Sequence, residues 1–114
     1  MTAVFSNARV EKGPTLYISG QTPATPDGNV PAGADAQARV VLDKLAASLA
    51  EHGLGWDAVI KLTYYLTDID DLAALRSVLH EVLPDPKPAA TLAVVAGLGD
   101  ARFLVEIDAV ADLG

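Results

Sequence analysis

Between Pro88 and Asp112 two apolar runs flank a glycine-rich turn. The first run is Thr91-Leu92-Ala93-Val94-Val95, the turn is Gly97-Leu98-Gly99-Asp100, and the second run is Phe103 to Val110. Short runs rich in Val and Ile and joined by glycines predict two strands paired antiparallel. Side chains alternate faces along a strand, so Phe103, Val105, Ile107 and Ala109 share one face. Leu104, Glu106, Asp108 and Val110 share the other. Two carboxylates therefore stand among apolar neighbours. One reading is a sheet with a wet face, which antiparallel sheets tolerate. The sharper reading is a carboxylate held in a cleft as an acid or base.

The rest of the chain supplies partners for those strands. Val4 to Val10 reads as a short edge strand, and Glu11-Lys12-Gly13-Pro14 as a turn. Thr15 to Gly20 alternates and is expected to pair back on the first strand. Gln21 to Gly33 carries Pro23, Pro26, Pro31, Gly28 and Gly33, a surface loop with a turn at Asp27-Gly28. Asp35 is the expected N-cap of a helix whose stripe is Ala38, Val41, Leu42, Leu45 and Leu49. Gly53 stops it. Val59 to Thr67 is a strand, with Ile60, Leu62, Tyr64 and Leu66 on one face. Asp68, Asp70 and Asp71 open a second helix, where negative charge meets the helix dipole. Its stripe is Leu72, Leu75, Leu79 and Val82, and Pro84 ends it.

The expected order is strand, strand, helix, strand, helix, strand, strand. That order predicts an α+β fold with helices on one face of the sheet. The apolar strand faces exceed what two short helices cover, so some apolar sheet surface is expected to remain for a partner chain. A chain of 114 residues, 51% of them hydrophobic, is expected to form a single domain over residues 1–114.

Composition excludes several classes of function. The chain has no cysteine, which removes disulfides, thiolate chemistry and Cys-based metal sites. Met1 to Phe5 lacks the basic and apolar regions of a signal peptide. No run reaches the length of a membrane span. A cytoplasmic protein without membrane contact is expected. Fifteen acidic residues against eight basic ones give a net charge of -7. The lysines and arginines are scattered singly, so no nucleic-acid partner is expected.

Local motifs narrow the chemistry. Gly53-Leu54-Gly55 and Gly97-Leu98-Gly99 lack the third glycine of a nucleotide loop and read as turns. His52 and His80 have no metal-ligand partner at suitable spacing and read as surface residues. Ser19 lacks the preceding glycine of a nucleophile elbow and reads as a strand-end serine.

Tyr17-Ile18-Ser19-Gly20-Gln21 with Pro23 resembles the YISGQ-x-P stretch of the RidA/YjgF family, the reactive intermediate (enamine/imine) deaminases. Ala36 to Leu42, Ala-Gln-Ala-Arg-Val-Val-Leu, resembles that family's AQ-R-VL-N helix. Val59 to Asp68 is similar to VVKTTVFLTD. Pro88-Ala89-Ala90-Thr91 falls where the family has PARS or PART. Val105 to Ala111 is similar to VEIEAIA. The five blocks come in the family's order and span nearly the whole chain.

The resemblance implies a chorismate-mutase-like α+β fold and a homotrimer with small-molecule clefts between neighbouring subunits. It implies hydrolysis of 2-imino acids and related enamines to 2-oxo acids and ammonia, with no cofactor and no metal. In that chemistry an arginine grips the substrate carboxylate, a C-terminal glutamate acts with a water, and a Tyr and a Ser frame the cleft. The glutamate maps onto Glu106 and the serine onto Ser19. The arginine maps onto Ala90, next to Thr91, and the tyrosine onto Phe5. An asparagine-type position of the second helix maps onto Arg76.

Alanine has no donor for a carboxylate, so little or no 2-iminobutanoate turnover is expected, and a neutral, cationic or bulkier apolar substrate is expected instead. Arg9, Arg76 and Arg102 are the residues that can restore the grip from another position. A non-catalytic trimer that binds a metabolite or a protein is the alternative. The older family label of endoribonuclease or translation inhibitor ranks last, because the chain is acidic.

Overall fold

The computed structural model describes residues 3–114. Met1 and Thr2, part of the stretch read as lacking a signal peptide, lie outside the described residues. The elements are β1 (Thr15–Gln21), α1 (Ala34–Ala50), β2 (Val59–Leu66), α2 (Leu72–Val82), β3 (Ala89–Val94) and β4 (Val105–Asp112). Short 3₁₀ turns, Trp56–Ala58 and Ile69–Asp71, precede β2 and α2. The four strands form one sheet in the order β1-β4-β2-β3, with helices packed on one face. No helix among the described residues is long and apolar enough to cross a membrane.

The helices form where the apolar stripes predict them. Ala38, Val41, Leu42, Leu45 and Leu49 of α1 are all buried. On α2 the buried residues are Leu75, Val78 and Leu79, while Leu72 and Val82 sit half-buried at the stripe's ends. Helix α1 starts one residue before the expected cap: Gly33 is the N-cap and Asp35 lies in the first turn. There its charge still faces the positive end of the helix dipole. At the other end Gly53 has φ 72°, and its N–H bonds the Ala50 carbonyl at 3.0 Å. The Leu54 N–H bonds back to the Leu49 carbonyl at 2.9 Å. This is a Schellman stop, which glycine adopts without a Cβ clash.

Two strand pairings differ from the sequence reading. The runs of the last third do not form a hairpin, because β2 lies between β3 and β4. Strand β3 runs parallel to β2, as a β-α-β connection through α2 requires. Strand β4 runs antiparallel to both β1 and β2. The glycine-rich stretch therefore bridges past a strand instead of turning tightly. The first segment also forms no strand. Ser6 makes one isolated parallel bridge to Ala89, and β1 pairs with β4 instead of with residues 4–10. Residues 6–9, Ser-Asn-Ala-Arg, lack the alternation that would bury one side of a strand.

Register decides which side chains face the helices. Leu62, Tyr64 and Leu66 of β2 face inward beside Val105, Ile107, Ala109 and Ala111 of β4. A register shift between Val59 and Lys61 turns Val59 inward and leaves Ile60 half-exposed, which corrects the face assigned to Ile60. Residues 62, 66, 105 and 107 are each 0% exposed, so two helices suffice to cover the apolar face. The uncovered face is mixed: it carries Lys61, Thr63, Tyr65, Glu106, Asp108 and Val110. The expected leftover apolar sheet surface is reduced to Val110 and the exposed Tyr17 beside it, set among polar side chains.

One polar side chain is built into the core. Gln37 of α1 is 2% exposed. Its Nε2 donates to the Pro31 carbonyl at 3.0 Å and to the Arg102 carbonyl at 2.9 Å, while its Oε1 accepts from the Leu104 N–H at 2.7 Å. It ties the loop before α1 to the approach of β4. Gln37→Ala strands three backbone groups and is expected to destabilise the chain by about 3 kcal/mol, read as a lower midpoint in urea unfolding with an unchanged slope.

Candidate functional site

The sheet divides the residues singled out from the sequence into two groups. Glu106 pairs in register with Tyr65, and Asp108 with Thr63, so both carboxylates project from the uncovered face. Thr91 of β3 is in register with Thr63 and shares that face. On β1, Tyr17 pairs with Val110 and also lies there, while Ser19 stands in the irregular stretch between Ile18 and Gln21, where the register shifts. Ala90 pairs with Leu62 and Leu92 with Tyr64, so these two look toward the helices. Glu106 and Ala90 of one chain thus lie on opposite sides of one layer of backbone.

The uncovered face is a polar network. The Tyr65 hydroxyl donates to Asp108 Oδ2 at 3.2 Å. Lys61 Nζ donates to Thr91 Oγ1 at 2.6 Å. Ser19 is exposed, and its carbonyl accepts from Gln21 Nε2 at 2.9 Å. The Glu106 side chain lies back across Gly20 of β1, where any Cβ would run into the carboxylate. Glycine at position 20 is what lets that carboxylate occupy its place. The Asp108 charge, and then its hydrogen bond, push the Tyr65 phenol above its ordinary pKa. Asp108→Asn is therefore expected to bring Tyr65 ionisation down toward the usual tyrosine range. Ultraviolet titration of that variant beside a Tyr65→Phe control checks it.

On the helix side, Phe5, Tyr64, Leu72, Arg76, Ala90 and Leu92 border a cleft of about 230 Å³. Local contacts hold its rim. The Ser6 N–H bonds the Pro88 carbonyl at 2.8 Å, and the Ser6 hydroxyl donates to the Lys87 carbonyl. Arg9 donates to the same Lys87 carbonyl at 3.2 Å. These bonds pin residues 6–9 to the start of β3 and leave Phe5, 46% exposed, at the mouth. Tyr64 borders this cleft, and its hydroxyl is closed off from solvent without a hydrogen-bond partner among the described residues.

The three arginines expected to restore a grip near Ala90 differ in their surroundings. Arg102 is held by Asp100 at 2.9 Å, and Arg9 by carbonyls. Arg76 lines the cleft that Ala90 and Phe5 line.

Sequence reasoning placed Tyr64 with the apolar face and stopped there. A phenol in the middle of a helix-facing strand needs a partner for its hydroxyl, and that is the signal that finds it. The surface reading of His80 also changes: its Nε2 is buried and unpartnered among the described residues. His52 is exposed, as expected. No group of acidic and histidine side chains suited to a metal occurs among the described residues.

The comparisons agree with this architecture. The family model described as Endoribonuclease L-PSP matches residues 1–113. The mitochondrial protein mmf2 of Schizosaccharomyces pombe is 39% identical over 109 residues, covering 92% of this chain and 85% of that protein. TdcF of Escherichia coli K12, by name a candidate reactive intermediate deaminase, is 34% identical over 73 residues, 63% of this chain and 57% of its own. The crystal structure of RidA from an Antarctic Psychrobacter superposes with a TM-score of 0.83 at 33% identity, covering 98% of this chain and 90% of that one. With the family model spanning nearly every residue and a solved RidA sharing the fold, this chain belongs to the Endoribonuclease L-PSP family, the RidA/YjgF proteins.

Proposed function

We propose that this chain hydrolyses the C=N bond of a small enamine- or imine-type metabolite, in a cleft completed by a second copy of itself. The observation that carries the reading is the separation by the sheet. Glu106 lies on the uncovered face, while Phe5 and Ala90 border the helix-side cleft. A site that uses both groups needs two subunits. The homotrimer implied by the family resemblance supplies that arrangement.

In this reading Glu106 takes a proton from a water as the water oxygen bonds to the iminium carbon. The tetrahedral carbinolamine then receives that proton on nitrogen. As its C–N bond breaks and ammonia leaves, Glu106 takes the hydroxyl proton and passes it to the departing ammonia, so that a carbonyl and ammonium remain. One water is consumed and no redox change occurs. General base action by a placed carboxylate suits this sequence. The Tyr65–Asp108 pair occupies the same sheet face and keeps it polar.

The test is ammonia release from a panel of imines generated in situ, on wild type and Glu106→Gln, together with sedimentation of the protein at micromolar concentration. Turnover lost in Glu106→Gln and a mass of about three chains support the reading. A stable monomer with unchanged turnover defeats the shared cleft.

A second reading, a trimer that binds a metabolite without turnover, is favoured by Ala90, which offers no donor where the resemblance places an arginine. Ligand binding with no ammonia released from any imine selects it. RNA cleavage is expected to be absent, because a net charge of -7 repels phosphate at physiological salt. Cleavage of single-stranded RNA by nuclease-free protein, abolished by Glu106→Ala, would overturn that expectation.

A further inference from the structure

We propose that Asp27 is a site of spontaneous backbone isomerisation, and that Thr25 and Asn29 form a latch that holds the reaction off while their loop is closed. The site stands apart from the hydrolysis proposed above.

Residues 27 and 28 are the one place in the chain where an Asp or Asn precedes a glycine. A side chain on the following residue crowds its backbone nitrogen, and glycine has none. Asp27, Gly28 and Asn29 are all exposed in the loop between β1 and α1. Nothing stands within 4 Å of where a Cβ on residue 28 would lie. Surrounding atoms therefore leave the Gly28 nitrogen free to bond to Asp27 Cγ. Its proton leaves with the carboxyl O–H as water, and a succinimide ring results. Water then opens the ring. Addition at the side-chain carbonyl restores aspartate, and addition at the main-chain carbonyl gives isoaspartate, with a methylene inserted into the backbone. The water released in closure is regained in opening, so the product has the mass of the starting chain, and nothing is oxidised or reduced.

The folded loop holds both reacting groups away from that path. The Thr25 hydroxyl donates to Asp27 Oδ1. The Asn29 N–H donates to Oδ1 at 3.3 Å, and Asn29 Nδ2 donates to Oδ2 at 2.9 Å. The nucleophile is engaged as well, since the Gly28 N–H donates to the Thr25 carbonyl at 2.9 Å. The Thr25 N–H closes the turn on the Asn29 carbonyl at 2.8 Å. The Thr25 hydroxyl, and then the Asn29 N–H, hold the Asp27 carboxyl below its ordinary pKa. Ring closure uses the protonated carboxyl, so an anion held by donors is the unreactive form. To react, the carboxyl has to leave its donors, take a proton and turn toward a nitrogen that has left the Thr25 carbonyl. That is a local opening of an exposed turn.

Two anchors bound the opening. Lys44 Nζ donates to the Thr22 carbonyl at 2.8 Å, and Gln37 Nε2 to the Pro31 carbonyl at 3.0 Å. Both donors stand on α1. The added methylene is therefore expected to be taken up within residues 23–30.

The test incubates the full-length protein at neutral pH and physiological temperature for several weeks, beside a synthetic peptide of residues 22–32. The tryptic fragment of residues 13–39 is then separated, and isoaspartate is located by electron-transfer fragmentation. Wild type is expected to form isoaspartate at residue 27 before any other aspartate, and at least about tenfold more slowly than the peptide, the equivalent of one hydrogen bond to a charged group. Thr25→Val combined with Asn29→Ala should bring the rate close to that of a peptide carrying the same substitutions. Asp27→Glu should abolish the signal at that position. Thermal unfolding of each variant confirms a folded protein. A wild-type rate equal to that of the peptide removes the latch, as does a double variant no faster than wild type. Isoaspartate that forms first at another residue overturns the site itself.

Discussion

Ala90→Arg is expected to raise hydrolysis of 2-iminobutanoate by about ten- to a hundredfold over wild type, the equivalent of one charge-assisted hydrogen-bonded pair. The substrate carries a carboxylate that must leave water to enter the cleft, and an unpaired buried charge is expensive. The alanine at position 90 lines the cleft and offers nothing to that charge. Without a donor at position 90 a 2-imino acid is expected to lie askew of Glu106, and misplacement lowers rate as well as affinity. An arginine at 90 restores the grip on the strand. Two guanidiniums in one cleft repel each other, so Ala90→Arg combined with Arg76→Asn should gain more than Ala90→Arg alone. Both gains should vanish when Glu106→Ala is added. The measurement is ammonia release with the imine generated in situ. Wild-type turnover equal to that of family members with the arginine would sink the argument.

Most of the fold was legible because its helices and its central strand each bury one continuous apolar face. The stripe on α1 and the inward residues of β4 follow directly from periods of 3.6 and 2. What the sequence could not carry was strand order. Thr91 to Val95 and Phe103 to Val110 look like a hairpin, yet β2 separates them. Hairpin and crossover have the same local alternation, and only the crossover through α2, which makes β3 parallel to β2, decides between them. The turn of Ile60 away from the core is a similar case, since a one-residue register shift leaves no mark on composition.

The candidate site was less legible because its residues lie on two sides of the sheet. Alternation put Glu106 opposite the core face, and the structure places it there. The motif stretch around Ala90 gave no sign that Ala90 and Glu106 face opposite ways, because the two strands are joined only through β2. Arg76 was one of three arginines with equal standing in the sequence. Only tertiary contacts distinguish them, with Arg102 on Asp100, Arg9 on backbone carbonyls and Arg76 at the cleft wall. Tyr64 was hidden by its own alternation, since tyrosine counts as apolar until its hydroxyl is asked for a partner.

Glu106→Gln is expected to lower imine turnover by about 10²–10⁴-fold, the range for loss of a positioned general base. The amide keeps the shape of the side chain but cannot accept the proton of the attacking water. Affinity for a 2-oxo acid should change little, because the substitution removes a charge that repels the acid's own carboxylate and leaves the cleft lining intact. Position is tested separately by Gly20→Ala. A Cβ at residue 20 meets the Glu106 carboxylate, the free end of a flexible side chain. That end can swing away at small cost to stability, so the melting temperature should barely move. The carboxylate, however, leaves its place, and a shift of about 1 Å is enough to lose roughly a hundredfold in rate. The expected pair of results is a folded Gly20→Ala protein with low kcat and a Glu106→Gln protein with lower kcat still. Combining the two substitutions should give no further loss, because both act through one carboxylate. Full activity in Glu106→Gln removes Glu106 from the chemistry. Additive losses in the double variant assign Gly20 a role of its own in the backbone of β1.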